Sequence, residues 1–128
     1  MERYQDWLRQ ARRKLEAAKW NFEGKLWEEA AFSAHQAAEL AAKALLVAKK
    51  LDHRGHAVSR LLAVVGAPAD IVDMAREIDH HYINARYPDA YDIGAPMEFY
   101  TKNMAKNAID YAEQIIKYIE SEIEKLRF

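Results

Sequence analysis

The stretch from His81 to Asp89 carries side chains well suited to binding an anion. It places the guanidinium of Arg86 between two phenols, Tyr82 and Tyr87, with the Asp89 carboxylate close behind. Guanidinium groups bind phosphates through paired hydrogen bonds, and tyrosine rings stack on nucleobases. The sequence therefore predicts a nucleotide- or partner-binding surface here. The structural alternative is a capped helix end at which Arg86 pairs with Asp89.

Pro88 limits the helix that precedes this stretch. Proline has no amide hydrogen, and it pushes the residue before it toward extended backbone. The helix that carries Ile78 and Tyr82 should therefore end at about Ala85. Arg86 would then lie at the helix exit, where it is free to point into a groove.

A second polar group lies earlier in the chain. Gln36, Glu39 and Lys43 are spaced by three and four residues, so they share one face of a helix. We expect this face to meet Arg86 and Tyr87 and to line a polar pocket with them. The alternative is an exposed Glu39–Lys43 ion pair, which would stabilise the fold by only a few tenths of a kcal/mol.

Asp52, His53 and His56 have a spacing that could hold a metal ion. Three weak ligands on one loop make a poor zinc site, because the chain has no cysteine and no matching cluster elsewhere. We therefore predict no metal site and no cofactor. His56 is expected to cap the short helix that follows it or to pack near the polar pocket.

Apolar residues recur every three or four positions along most of the chain, and no segment has the two-residue period of a strand. The pattern predicts a first helix from Tyr4 to a cap at Gly24, a second from Trp27 to Ala48, and a short third helix near 58–65. A fourth helix begins at Asp70, and a last one runs from about Thr101 to Leu126. Met104 is expected on the inward face of this last helix. Residues 86–100 lack this period and are expected to form a long loop. The chain therefore predicts an all-α, up-and-down four-helix bundle with an additional short helix.

The length of 128 residues is expected to hold one domain, 1–128, around one core. The predicted central helix is apolar on more of its circumference than a four-helix monomer would cover, which predicts a twofold homodimer.

Nineteen basic and 20 acidic residues give a net charge of −1, so the molecule as a whole has no excess positive charge to attract RNA or anionic membranes. No run is long and apolar enough for a membrane span, and the lack of cysteine fits a cytoplasmic protein.

These motifs together resemble the HEPN (higher eukaryotes and prokaryotes nucleotide-binding) domain family. The resemblance rests on the order and spacing of His35-Gln36-Ala37-Ala38-Glu39-Leu40-Ala41-Ala42-Lys43, Gly55-His56 and Arg86-Tyr87-Pro88-Asp89, and it extends from Trp7 to Ile119. It implies a small helical bundle, usually dimeric, that binds a nucleotide or a protein and is often encoded beside a minimal nucleotidyltransferase. A toxin–antitoxin-like pair is the implied setting. The implied binding residues are Gln36, Glu39, Lys43, His56, Tyr82, Arg86, Tyr87 and Asp89.

Some members of this family are metal-independent ribonucleases, which is the alternative function. Those members carry an arginine and a histidine separated by four to six residues, usually just before or at the start of the final long helix. Arg76 and His81 satisfy the spacing, but they stand one helix too early, and Asp73, Glu77 and Asp79 would repel RNA phosphates. We therefore expect no catalytic residues, no enzymatic activity and no RNA partner.

Overall fold

A computed structural model describes residues 3–126 as a bundle of α-helices, with no β-strand in that range. The helices are α1 (Tyr4–Glu23), α2 (Trp27–Ala48), α3 (Val58–Val64), α4 (Ala69–Asp79), α5 (His81–Asn84), α6 (Pro96–Phe99) and α7 (Lys102–Glu124), with a 3-10 turn at Pro88–Ala90. The all-α bundle predicted from the sequence is confirmed, with α3 as its additional short helix. Within residues 3–126 no helix is both long and apolar enough to cross a lipid bilayer.

Helix α2 is the centre of the bundle, where it packs against α1, α3, α4, α5, α6 and α7. Its small side chains let these neighbours approach closely. The alanines of α2 with no exposed surface are Ala30, Ala31, Ala34, Ala37, Ala38, Ala41 and Ala44. The expectation that α2 needs a second copy to cover it is therefore wrong, because the chain covers it alone. A homodimer remains a prediction that requires another surface.

The helix expected to continue to Ala85 is divided at His80, between α4 and α5. At this point the Asp79 carboxylate turns toward the start of α3. It accepts hydrogen bonds from the Val58 N–H at 2.6 Å, the Ser59 N–H at 3.2 Å and the Ser59 hydroxyl. Asp79 therefore caps α3 from a distance, and the joint between α4 and α5 directly follows it.

Residues 86–100 form the predicted long connection, but it contains a 3-10 turn at Pro88–Ala90 and the short helix α6. The 3-10 turn and α6 each begin at a proline, whose fixed φ suits the first position of a helix. The Tyr91 ring stacks on Phe99 at 4.4 Å between centroids, and its hydroxyl donates to the Asn84 carbonyl at 2.9 Å. These contacts tie the segment to α5 and α6.

Helix α7 begins as predicted, because the Thr101 hydroxyl accepts the Met104 N–H at 3.2 Å. The side chain of Met104, expected inside, is 37% exposed. The buried face begins instead at Ala105 and continues through Ala108, Ile115 and Ile119, so only the first position of the predicted stripe is wrong.

Helix α1 ends through a left-handed residue that is not glycine. Gly24, the predicted cap, has φ −79°, whereas Lys25 has φ 61°. The Leu26 N–H reaches back to the Asn21 carbonyl at 2.9 Å, which closes the last turn. A left-handed conformation costs an L-residue about 1–2 kcal/mol, so the helix end carries strain at Lys25.

We expect Lys25→Gly to raise the free energy of unfolding by about 0.5–1 kcal/mol, because the relieved strain exceeds the added freedom of the unfolded chain. Gly24→Ala should be tolerated, since its φ suits an L-residue and an added Cβ would approach other atoms no closer than 3.6 Å. Urea denaturation measures both variants. A destabilised Gly24→Ala together with an unchanged Lys25→Gly would contradict this helix end.

Candidate functional site

The ring of Tyr82 on α5 lies between Arg86 and two histidines, and the face of Gln36, Glu39 and Lys43 is connected to Arg86 through these rings rather than by direct contact. The His56 ring stacks on that of Tyr82, with centroids 4.5 Å apart and planes 15° apart. The His35 ring, from α2, lies 5.3 Å away, and the guanidinium carbon of Arg86 lies 4.3 Å from the Tyr82 centroid. Tyr82 therefore joins α2, the loop before α3 and the turn after α5. We call His35, His56, Tyr82 and Arg86, with the residues they contact, the Arg86 cluster.

Arg86 is held by aromatic rings rather than by a carboxylate. Its guanidinium carbon lies 4.7 Å from the Phe32 centroid and 4.6 Å from that of Tyr87, and its Nε donates to the Tyr82 carbonyl at 2.6 Å. Cation–π attraction favours this arrangement. Within residues 3–126 no ion pair joins Arg86 to Asp89, so the structural alternative in which these two side chains pair is not observed. In the same range the two terminal nitrogens have no hydrogen-bond partner, and their N–H groups remain available to an anion.

Glu39 and Lys43 lie beneath the cluster, with only 5% and 9% of their surface exposed. The Lys43 ammonium is 3.0 Å from one oxygen of Glu39, and the His56 Nδ1 is 3.2 Å from both. The alternative of a Glu39–Lys43 ion pair is observed, but the pair is buried rather than exposed. Glu39, paired with Lys43, holds His56, and the path from Glu39 to Arg86 runs through the rings of His56 and Tyr82.

His35 is completely buried and was absent from the predicted binding residues. Its Nε2 donates to the His56 carbonyl at 3.0 Å, so its Nδ1 is the acceptor for the Gln36 amide at 3.2 Å. Burial lowers the pKa of His35, which keeps the ring neutral and this pattern of donors fixed. His35 and Gln36 therefore hold the loop that carries His56.

The residues weighed as metal ligands do not converge. Asp52 binds the Arg54 guanidinium at 2.9 Å, His53 packs edge-on against Trp7 at 5.2 Å between ring centroids, and His56 faces α2. Within residues 3–126 no group of three or more His, Cys, Asp or Glu side chains could hold a metal ion.

Arg76 and His81 have different surroundings. Arg76 pairs with Asp73 at 2.8 Å on the exposed side of α4. The His81 Nδ1 lies 2.6 Å from the hydroxyl of Tyr100, which is 5% exposed. Burial lowers the pKa of His81 to about 4 and raises the pKa of Tyr100, so both are neutral near pH 7. His81 and Tyr100 therefore do not form, together with Arg76, a single site that could catalyse attack on a phosphodiester.

Phe32 near Arg86, Tyr100 near His81, and Asp79 at the start of α3 were not predicted as partners from the sequence. Phe32 precedes His35 by three residues and Gln36 by four, so helical spacing alone could have placed it on the same face. Tyr100 and Asp79 had no such signal, because their partners lie 19 to 21 residues away in the chain.

Comparison with known proteins identifies relatives over nearly the whole chain. The family model for the HEPN domain matches residues 4–123. The crystal structure of TT1696 from Thermus thermophilus is 38% identical with a TM-score of 0.90, covering 94% of this chain and 98% of that one. The structure of ST0689, described as an archaeal HEPN homologue, is 41% identical with a TM-score of 0.85, covering 96% and 99%. A protein of Methanocaldococcus jannaschii named "Putative toxin MJ1304" is 26% identical, covering 88% of this chain and 83% of its own length.

Replacing Lys43 by alanine would leave the Glu39 carboxylate buried with His56 as its remaining partner. We expect this change to lower the free energy of unfolding by about 3 kcal/mol, because an unpaired buried charge is costly. Lys106→Ala is the matched control, since it breaks a pair with Asp110 at the same spacing whose side chains are 62% and 46% exposed. Equal and small losses in urea denaturation would contradict the supporting role of Lys43.

The lowered pKa of His81 predicts a loss of stability in acid. The unfolded chain takes up this proton near pH 6.5 and the folded chain near pH 4, so stability should fall as the pH drops through that window. The difference between the two pKa values of His81 corresponds to a loss of roughly 3 kcal/mol in unfolding free energy by the acidic end of this pH window. His81→Gln should flatten the dependence of unfolding free energy on pH, whereas His80→Gln, at the exposed neighbouring position, should not. Identical slopes for His81→Gln and the wild type would contradict this assignment.

Proposed function

This chain belongs to the HEPN domain family, and we propose that it is a nucleotide- or partner-binding module that acts in the cytoplasm with a separately encoded minimal nucleotidyltransferase. The observation that carries the proposal is the Arg86 guanidinium, which three rings hold in place while its terminal N–H groups have no partner within residues 3–126. A guanidinium presented in this way can donate two parallel hydrogen bonds to a phosphate or carboxylate.

The surroundings of Arg86 favour a ligand with an anionic group and a planar group. Tyr87 is 45% exposed and offers a ring on which a nucleobase can stack. The rings around the guanidinium restrict its motion before any ligand arrives, so less conformational freedom is lost on binding. In this proposal Glu39 and Lys43 support the surface from below, and the ligand contacts Arg86, Tyr87 and the exposed edge of His56.

A metal-independent ribonuclease toxin is the second candidate. The similarity to "Putative toxin MJ1304" and the spacing of Arg76 and His81 favour it. The engagement of Arg76 with Asp73 and of His81 with Tyr100 weighs against it. We therefore place the module in a toxin–antitoxin-like pair without assigning it ribonuclease activity.

We also propose a homodimer, formed through four exposed apolar side chains that lie on the segment from α5 to α6 rather than through α2. Exposed apolar surface usually marks an interface. The residues and their exposed fractions are Ile83 47%, Ile93 83%, Met97 69% and Phe99 43%.

We expect sedimentation at micromolar concentration to show a dimer that Met97→Glu dissociates. The introduced charge would have to be buried against the second copy, which is unfavourable. Trp20→Glu is the control, because Trp20 is 73% exposed on α1, outside the proposed surface. A stable wild-type monomer would contradict the proposal.

For the Arg86 cluster, we expect Arg86→Ala to weaken binding of ATP or of the nucleotidyltransferase about ten- to hundredfold. This loss corresponds to charge-assisted hydrogen bonds of about 1.5–3 kcal/mol. Arg60→Ala, which removes the same charge from exposed α3, is the control, and Asp89→Ala should also have a small effect. Calorimetric titration of each variant is compared with its thermal melt.

Unchanged affinity with a large drop in melting temperature would assign Arg86 to the fold alone. Metal-free cleavage of transfer RNA that disappears in both Arg76→Ala and His81→Ala would instead establish the ribonuclease.

A further inference from the structure

A cavity of about 430 Å³ lies between α4 and α5 on one side and α7 on the other. Its volume falls within the range of about 300–1,000 Å³ that is usual for small-molecule sites. The polar and aromatic side chains that matter for a ligand are Glu77, Asn84, Tyr91, Tyr100, Asn107 and Tyr111. Arg86 and Tyr87 are not among its lining residues, so this cavity is a different site from the Arg86 cluster.

Three polar side chains of this cavity lack partners within the part of the chain that the structure describes, whereas the hydroxyls of Tyr91 and Tyr100 are bound to the Asn84 carbonyl and to His81. The Glu77 carboxylate forms no ion pair or hydrogen bond there, and the side-chain amides of Asn84 and Asn107 form none. Asp79, two residues further along, differs because three donors satisfy it. Of the described residues that line the cavity, none is Lys or Arg.

We propose that this cavity binds an organic cation, namely an ammonium or guanidinium group, with Glu77 as its counter-charge. Tyr91, Tyr100 and Tyr111 line the cavity, and tyrosine rings attract cations. One face of the Tyr91 ring is covered by Phe99. The amide oxygens of Asn84 and Asn107 can accept the N–H groups of the ligand. The lining also includes His80 and His81, and burial lowers the pKa of His81 to about 4, so that ring is neutral near pH 7. A phosphate would meet the Glu77 carboxylate without a lysine or arginine to compensate it, so the lining favours the opposite charge to the one that Arg86 selects.

The charge distribution of the chain agrees with this choice. Residues 70–98, which include Glu77 and most of the cavity's α4–α5 side, hold seven Asp and Glu against two Lys and Arg. Of the described residues that line the cavity, Glu77 is the one carboxylate, and an excess of carboxylates on the segment that carries it raises the local concentration of cations. The cation can be a free molecule such as a polyamine, or the arginine or lysine side chain of a protein partner.

The test is a titration followed by NMR of the side-chain amide signals of Asn84 and Asn107. The probes are spermidine, arginine amide and a blocked Gly-Arg-Gly peptide, with inorganic phosphate and adenosine for comparison. We expect saturable shifts with the cations, weakened at least about tenfold in Glu77→Gln. Asp70→Asn is the matched control, because it removes the same charge from the exposed start of α4.

A second variant keeps the test independent of how well Glu77→Gln folds. Asn107→Asp adds a carboxylate on the α7 side and should tighten cation binding severalfold. Tighter binding of spermidine than of the peptide would identify a free cation as the ligand, and the reverse would identify the side chain of a partner. Shifts that do not saturate, that are equal with adenosine or phosphate, or that persist unchanged in Glu77→Gln would overturn the proposal.

Discussion

The buried carboxylate of Glu39 is the constraint on which the candidate site depends. A charge removed from water costs several kcal/mol unless partners compensate it, and here Lys43 and His56 do so. His56 is thereby fixed in position, and its ring supports Tyr82, which supports Arg86 in turn. A charge inside α2 thus determines where a different charge is presented at the surface.

The parts of the fold that a local pattern determines could be predicted from the sequence. The apolar stripes predicted α1, α2 and α7 close to their observed bounds, and Thr101 was identified as the cap of α7 because a hydroxyl at that position satisfies a free amide. No local pattern marks the joint at His80, and the neighbouring Asp79 side chain bonds to Ser59, which is 20 residues distant. The burial of Glu39 was also not visible in a local pattern, and its partner His56 comes from a separate loop.

The sequence also left open what covers the apolar circumference of α2. A helix that is apolar on every side is buried, but its sequence does not say by what. The short helices α3, α5 and α6 supply part of the cover, and α6 lies in a region whose sequence shows no helical pattern. The same segments bring Tyr82 and Tyr100 into place, so one part of the chain completes the core and shapes both proposed binding surfaces.

The cap that Asp79 places on α3 has a consequence for how the molecule responds to change. The loop of His56 is held at one end by His35 through the His56 carbonyl, and at the other by Asp79 through Val58 and Ser59. Such a loop has few alternative conformations, so its local unfolding must involve α3 and α4 together. A substitution of Asp79 would weaken the cap on α3 and so allow more motion in the rings that support the Arg86 guanidinium. Evolution could therefore alter what Arg86 recognises by substituting a residue that no ligand contacts.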